Sequence, residues 1–186
     1  MIIGDTMNLF HKKSELSSLA FMHLILESTK NEIPSLHTFI DRSLIPCSKD
    51  IATINMLSIG FELCRYELYL SNNHDMVDYV LNSVYDEYFY TLDNSVKEQH
   101  QNICIEVKNK CEDIFKARKL LAPKEVFAYR LFLEQLHIKE STINPIFIKE
   151  LLNITQVLVF NAKYINKTYF IKKENINKND TIDFRF

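Results

Sequence analysis

The stretch SKDIATINMLSIGFELCRYELYL, residues 48–70, decides the fold class. Ser48 stands where a hydroxyl can cap a helix start. Ile54, Leu57, Phe61, Cys64 and Leu68 then follow at alternating spacings of three and four. That period sets all five on one side of a helix, as a core seam requires.

Reading downstream, Ser71-Asn72-Asn73 breaks the chain. A helix is expected from about His74 to Leu92, lined by Val77, Leu81, Val84, Tyr88 and Leu92. Ser95 with Glu98 forms an S-x-x-E capping box, the sharpest start signal in the chain. The helix it opens carries Val96, Ile103, Val107, Cys111, Ile114 and Leu121 on one side. Ala122-Pro123 restarts the chain, and Glu125 to His137 is expected to bury Val126, Phe127, Leu131 and Leu133 or Leu136. Asn144-Pro145 opens a helix to about Tyr169 that is apolar on nearly every side, which predicts a central position.

Upstream, Pro34 suits the start of a short helix that ends before Pro46. A first helix is expected from about Thr6 to Thr29, possible breaks falling near Ser14, with Leu16, Leu19, Ala20, His23, Leu24 and Glu27 sharing a face. The whole reads as an all-α, single-domain bundle of about six or seven helices around the hydrophobic C-terminal helix (145–169). The helical domain spans 1–170, and 171–186 forms a flexible or docking C-terminal tail rich in Lys and Asn. In that tail Ile182, Phe184 and Phe186 alternate with polar residues, the pattern of a short strand or docking peptide.

Composition agrees. Only two glycines and four prolines occur in 186 residues, too few glycines for hairpin turns or phosphate-cradling loops. The four cysteines (47, 64, 104 and 111) include no C-x-x-C pair and read as buried free thiols. The N-terminus turns polar at Gly4-Asp5, unlike a secretion signal, and the sequons at Asn153, Asn166 and Asn179 reflect Asn-rich composition. The most apolar run, Leu151 to Phe160, is short and interrupted, well below the ~20 residues of a membrane span. A cytoplasmic setting is expected.

Chemistry-bearing motifs are sparse. Glu134-x-x-His137 has the spacing used by di-iron bundles, but no second copy accompanies it. His23 with Glu27 and His37 with Asp41 are i,i+4 pairs of the kind common on solvated helices. Glu62, Arg65, Glu67 and His74 could hold a catalytic pair, yet nothing separates them from a wet helix face. No catalytic residue, cofactor or metal is assigned, and an enzyme is not expected.

Charge is the uneven feature. Residues 62–98 carry two Lys/Arg against eight Asp/Glu, and residues 99–186 carry fifteen against ten. Six of the nine tyrosines lie in the acidic segment. Tyrosines anchor interfaces and carboxylates steer basic partners. The leading expectation is therefore a non-enzymatic protein-binding protein, of immunity, antitoxin or viral accessory type. Its partner-binding surface would be Glu62, Tyr66, Tyr69, Asp78, Tyr85 and Asp86, facing a basic protein. The opposing reading makes these tyrosines the edge of the core and the acids its solvated rim. A second function class is a nucleic-acid binder using Lys116, Lys119, Lys172 and Lys173 in the basic half. A third is a metal-dependent enzyme centred on Glu134 and His137. Self-association is a further expectation, from apolar surface at Phe132, Phe147 and Ile182–Phe186.

Overall fold

The computed structural model describes residues 14–69, 74–90, 94–116 and 122–171. Among them the chain forms α1 (Ser18–Lys30), α2 (Ile33–Ser43), α3 (Lys49–Tyr69), α4 (His74–Tyr90), α5 (Asn94–Lys116), α6 (Lys124–Gln135) and α7 (Pro145–Thr168). A 3-10 turn at Glu140–Thr142 and two three-residue strands, β1 (Ser14–Leu16) and β2 (Tyr169–Ile171), complete it. The fold is all-α, as the periodicity predicts.

Two cap signals act as read, and two prolines stand within a residue of the helix starts read for them. Ser48 Oγ accepts from Ile51 N at 3.2 Å ahead of α3. Asn144 Oδ1 accepts from Ile146 N at 2.9 Å, with Pro145 as the first residue of α7. Pro123 immediately precedes α6, and Pro34 lies in the first turn of α2. Each proline sits where its missing N–H costs nothing.

The centre of the bundle is shared by two helices. α7 packs on α1, α2, α3 and α6, which suits its apolar composition. α3 touches every other α-helix, and fifteen of its 21 residues are buried, the seam of Ile54, Leu57, Phe61, Cys64 and Leu68 among them. α7 buries Leu151, Ile154, Leu158, Val159, Ala162 and Ile165 but leaves Ile146, Val157, Phe160 and Tyr164 exposed. α3 is thus the more enclosed of the two.

The N-terminal reading needs correction. Residues 14–16 are extended, and α1 begins at Ser18, with Ser17 Oγ accepting from Ala20 N at 3.2 Å. The expected start at Thr6 lies outside the described residues. The buried side of α1 is Phe21, Ile25, Leu26 and Thr29, while Ala20, His23 and Glu27 are exposed. Leu16 and Leu24 of the expected face do pack, partly buried, against the core, while its His and Glu turn to water as their polarity requires. β1 pairs in parallel with β2, Ser14 opposite Tyr169 and Leu16 opposite Ile171. This joins the two ends of the described chain. The expected tail beyond Ile171 and the capping hydroxyl of Ser95 lie outside what is described.

α1 reaches α3 through one close approach. A Cβ built on Gly60 would stand 2.4 Å from Thr29 Cγ2, and Thr29 is itself buried, its Oγ1 donating to Ile25 O at 2.9 Å. Overpacking of this kind costs about 1–3 kcal/mol. Alanine outranks glycine in a helix interior by only roughly 1 kcal/mol. Gly60→Ala is therefore expected to lower the midpoint of chemical unfolding, and adding Thr29→Ser to restore it. A double-mutant cycle reads the coupling directly.

Candidate functional site

The residues singled out by charge and tyrosine content meet at the α3–α4 contact. On α3, Ser58, Glu62, Arg65 and Tyr69 follow at four, three and four, a second stripe beside the apolar seam. On α4, Asp78 and Tyr85 are seven apart, two turns along one face. Arg65 Nε donates to Glu62 Oε2 at 2.9 Å, and Arg65 Nη1 pairs with Asp78 Oδ1. Tyr85 OH donates to Glu62 Oε1 at 2.9 Å, and Tyr69 OH donates to Asp78 Oδ1 at 2.6 Å. One guanidinium thus bridges two carboxylates, each also held by a tyrosine.

Burial separates the members. Glu62, Arg65 and Tyr85 are enclosed, Tyr69 is half-buried, and the Asp78 side chain is 47% exposed. Burial acts to lower the Arg65 pKa, but Glu62, with Tyr85 and Asp78, outweighs it and holds the guanidinium firmly charged. Burial, reinforced by Glu62, pushes the Tyr85 phenol well above its usual range. Burial and the bond to Asp78 push Tyr69 up to about 12. These phenols are donors, not bases. Arg65 Nη2 is buried without a hydrogen-bond partner.

Around this core lie thiols and a second ion pair. Ser58 Oγ and Cys104 Sγ stand 2.9 Å apart. Burial pushes the Cys64 and Cys104 thiols up to about 12 and Cys111 higher still, so all three behave as small apolar groups. Glu67, also buried, pairs with Lys124 at the start of α6, and Lys124 Nζ sits 4.5 Å from the centre of the Tyr66 ring.

Of the six residues expected to form a partner-binding surface, four reach solvent in part: Tyr66, Tyr69, Asp78 and Asp86. Glu62 and Tyr85 do not: both are buried where α3 meets α4, and a carboxylate there must face its own neutralising partners, Tyr85 among them. The same fact corrects the reading of Glu62, Arg65 and Glu67 as a wet helix face. Asp86 is half-buried, with Oδ2 lacking a hydrogen-bond partner, and burial pushes its pKa up to about 6 against the pull of Lys97. Tyr90, further along α4, is 90% exposed.

The E-x-x-H pair does not lie on one helical turn. α6 ends at Gln135, and His137 takes a left-handed backbone, φ 56°. Its N–H bonds Glu134 O at 2.9 Å while Ile138 N bonds Leu133 O at 2.9 Å, the double bond pattern of a helix stop. His137 therefore leaves the helical face, and Glu134 pairs instead with Lys110 at 2.7 Å. Among the described residues no three His, Cys, Asp or Glu side chains group as a metal site. Of the basic residues, Lys116 is the last of α5, and Lys119, Lys172 and Lys173 lie outside the described residues. Phe132, expected on apolar surface, is fully buried.

An unanticipated exposed strip lies on α7. Phe160, 66% exposed, and Tyr164 have nearly parallel rings 6.4 Å apart, flanked by exposed Lys163 and Lys167. The sequence signal was present as an apolar residue at every turn on both sides of α7, more than one core face can absorb. Among the described residues no helix is long and apolar enough to cross a membrane. Comparison with protein-family profiles, curated proteins and solved structures finds no match to this chain.

Two outcomes follow for the network. Arg65→Met strands the Glu62 carboxylate in the core, and removing one member of a buried pair costs about 3–5 kcal/mol. Denaturant titration should show that loss, with much of it recovered in Glu62→Gln/Arg65→Met, where Tyr85 keeps an acceptor. Asp86 acts in the opposite sense. Its folded pKa lies above the ordinary value, so between about pH 4 and pH 6 the folded state holds a proton that the unfolded chain has lost. Its contribution is present at the acid end of that window and lost as pH rises through it. Asp86→Asn is expected to raise the thermal midpoint at pH 7 relative to wild type, with a smaller difference at pH 4.

Proposed function

We propose that this chain is a non-enzymatic protein-binding domain that engages a basic partner through the tyrosine- and carboxylate-bearing side of α3 and α4. A role of immunity, antitoxin or viral accessory type suits such a domain. The observation that carries the reading is Asp78. Its carboxylate is anchored by buried Arg65 and by Tyr69, yet its side chain remains about half exposed. A charge held in place before binding loses little rotational freedom when a partner arrives.

Asp86 and the exposed Tyr90 follow along the same helix and extend the surface. The edge of α3 also illustrates the recognition chemistry. There a lysine ammonium, that of Lys124, sits over the Tyr66 ring and on the Glu67 carboxylate. A lysine or arginine from another protein would meet the same kind of groups at Tyr69, Asp78 and Asp86.

The α7 strip favours a second reading, in which Phe160 and Tyr164 stack on the bases of a single-stranded nucleic acid and Lys163 and Lys167 meet its phosphates. One pair of titrations separates them, using a Lys/Arg-rich peptide and a single-stranded oligonucleotide as probes. On the leading reading the peptide binds, more weakly as salt rises. Tyr69→Phe/Asp78→Asn/Asp86→Asn should then reduce its affinity about tenfold, the scale of one charge-assisted contact or two. Peptide binding indifferent to that triple variant sinks the proposed surface. Oligonucleotide binding lost in Lys163→Ala/Lys167→Ala moves the function to α7.

A further inference from the structure

Asp78 is held within the fold through one oxygen only. Arg65 Nη1 and Tyr69 OH both donate to Oδ1, the phenol at 2.6 Å. Two donors fill the two lone pairs of that atom. Among the described residues no donor is bonded to Oδ2, and the side chain is about half exposed. The carboxylate therefore offers an incoming cation a single oxygen. Arginine gains its usual advantage over lysine by closing two parallel N–H bonds on both oxygens of one carboxylate. A lysine ammonium needs only one oxygen.

Elsewhere in the chain the same arrangement costs an arginine its second bond. Glu140 Oε1 accepts from Tyr129 OH at 2.9 Å, and Arg130 reaches only Oε2, through Nε at 3.2 Å. At Glu62, Tyr85 OH holds Oε1, and Arg65 gives Oε2 one bond, from Nε at 2.9 Å. Lysines on a single oxygen come closer: Lys49 to Asp41 Oδ2 and Lys110 to Glu134 Oε1, both at 2.7 Å. With the two-oxygen fork excluded, the nearness of the charge decides, and a compact ammonium approaches more closely than a delocalised guanidinium. We infer that the acidic side of α3 and α4 selects lysine over arginine, and that Tyr69, by occupying Asp78 Oδ1, sets the preference. The inference rests on the proposal that this side is the contact surface for a basic partner.

Titration of the full chain with two peptides of one length and spacing, lysine in the first and arginine in the second at the same positions, tests this. Wild type is expected to bind the lysine peptide about fivefold more tightly, the scale of one hydrogen bond. Tyr69→Phe keeps the ring and frees a lone pair on Oδ1. Its affinity for the arginine peptide should rise against that for the lysine peptide by a similar factor. A ratio measured within one protein is insensitive to a change in its folded fraction. Stacking of arginine on exposed aromatics such as Tyr90 is common to both proteins, so the change in ratio reports Asp78. Asp78→Asn should abolish the lysine preference. An arginine peptide that binds wild type as tightly as the lysine peptide overturns the inference while leaving the contact surface in place. So does a preference that persists in Tyr69→Phe or in Asp78→Asn. If neither peptide binds wild type, the contact surface itself fails, and the inference falls with it.

Discussion

A helix that buries charged side chains must find counter-charges for them, and most of this architecture follows from how α3 does so. Its apolar seam alone would bury well, but Glu62, Arg65 and Glu67 are buried with it. Ionised groups taken from water without partners cost several kcal/mol each. Arg65 offsets this by spanning Glu62 and Asp78, and Lys124 does so at Glu67. Two helices are thereby committed. α4 must present Asp78 and Tyr85 at the height of Arg65 and Glu62, and α6 must begin beside the C-terminal end of α3. Apolar contacts cannot enforce this. The edge-on packing of Phe61 against Tyr85, 5.0 Å between centroids, would tolerate a slide along the helix. A guanidinium fork between two carboxylates would not.

How much of this was legible depends on whether the determining signal is local. Helix starts were, because a capping hydroxyl and a proline act on the backbone within one turn. The seam of α3 was, because its period is carried by five residues on one helix. The side that α1 buries was not. Its sequence offers overlapping stripes, and one member of the buried side, Thr29, packs against Gly60, thirty-one positions later on another helix. The pairing of β1 with β2 was beyond reach for the same reason, since two three-residue strands joined across the whole chain carry no pattern of their own.

The candidate site shows the limit more sharply. The clustering of acids and tyrosines in residues 62–98 is visible in the sequence and marks the place where α3 meets α4. Whether a given member faces in or out is not visible. Glu62, Tyr66 and Tyr69 satisfy a helical stripe, and so do Glu62, Arg65 and Tyr69. The second is the buried one, because Asp78 on the neighbouring helix supplies the counter-charge that Arg65 needs. Burial of a charge is decided by its partner, and the partner lies on another helix.

Scarcity of glycine connects the remaining features. The chain has two, Gly4 and Gly60, and Gly60 is placed at the crossing of α1 and α3. There a Cβ would overlap the Thr29 side chain. Helix stops are more forgiving. A left-handed residue with a side chain costs roughly 1–2 kcal/mol, and the chain carries that cost at Leu44 and His137. At His137 the consequence is that Glu134 and His137 do not share a helical turn, because the chain leaves α6 between them. At Leu44 the consequence is an aliphatic side chain held out in water. Where glycine is dispensable the chain has left side chains at its turns, and those side chains give the two ends of α2 and α6 their distinctive surfaces.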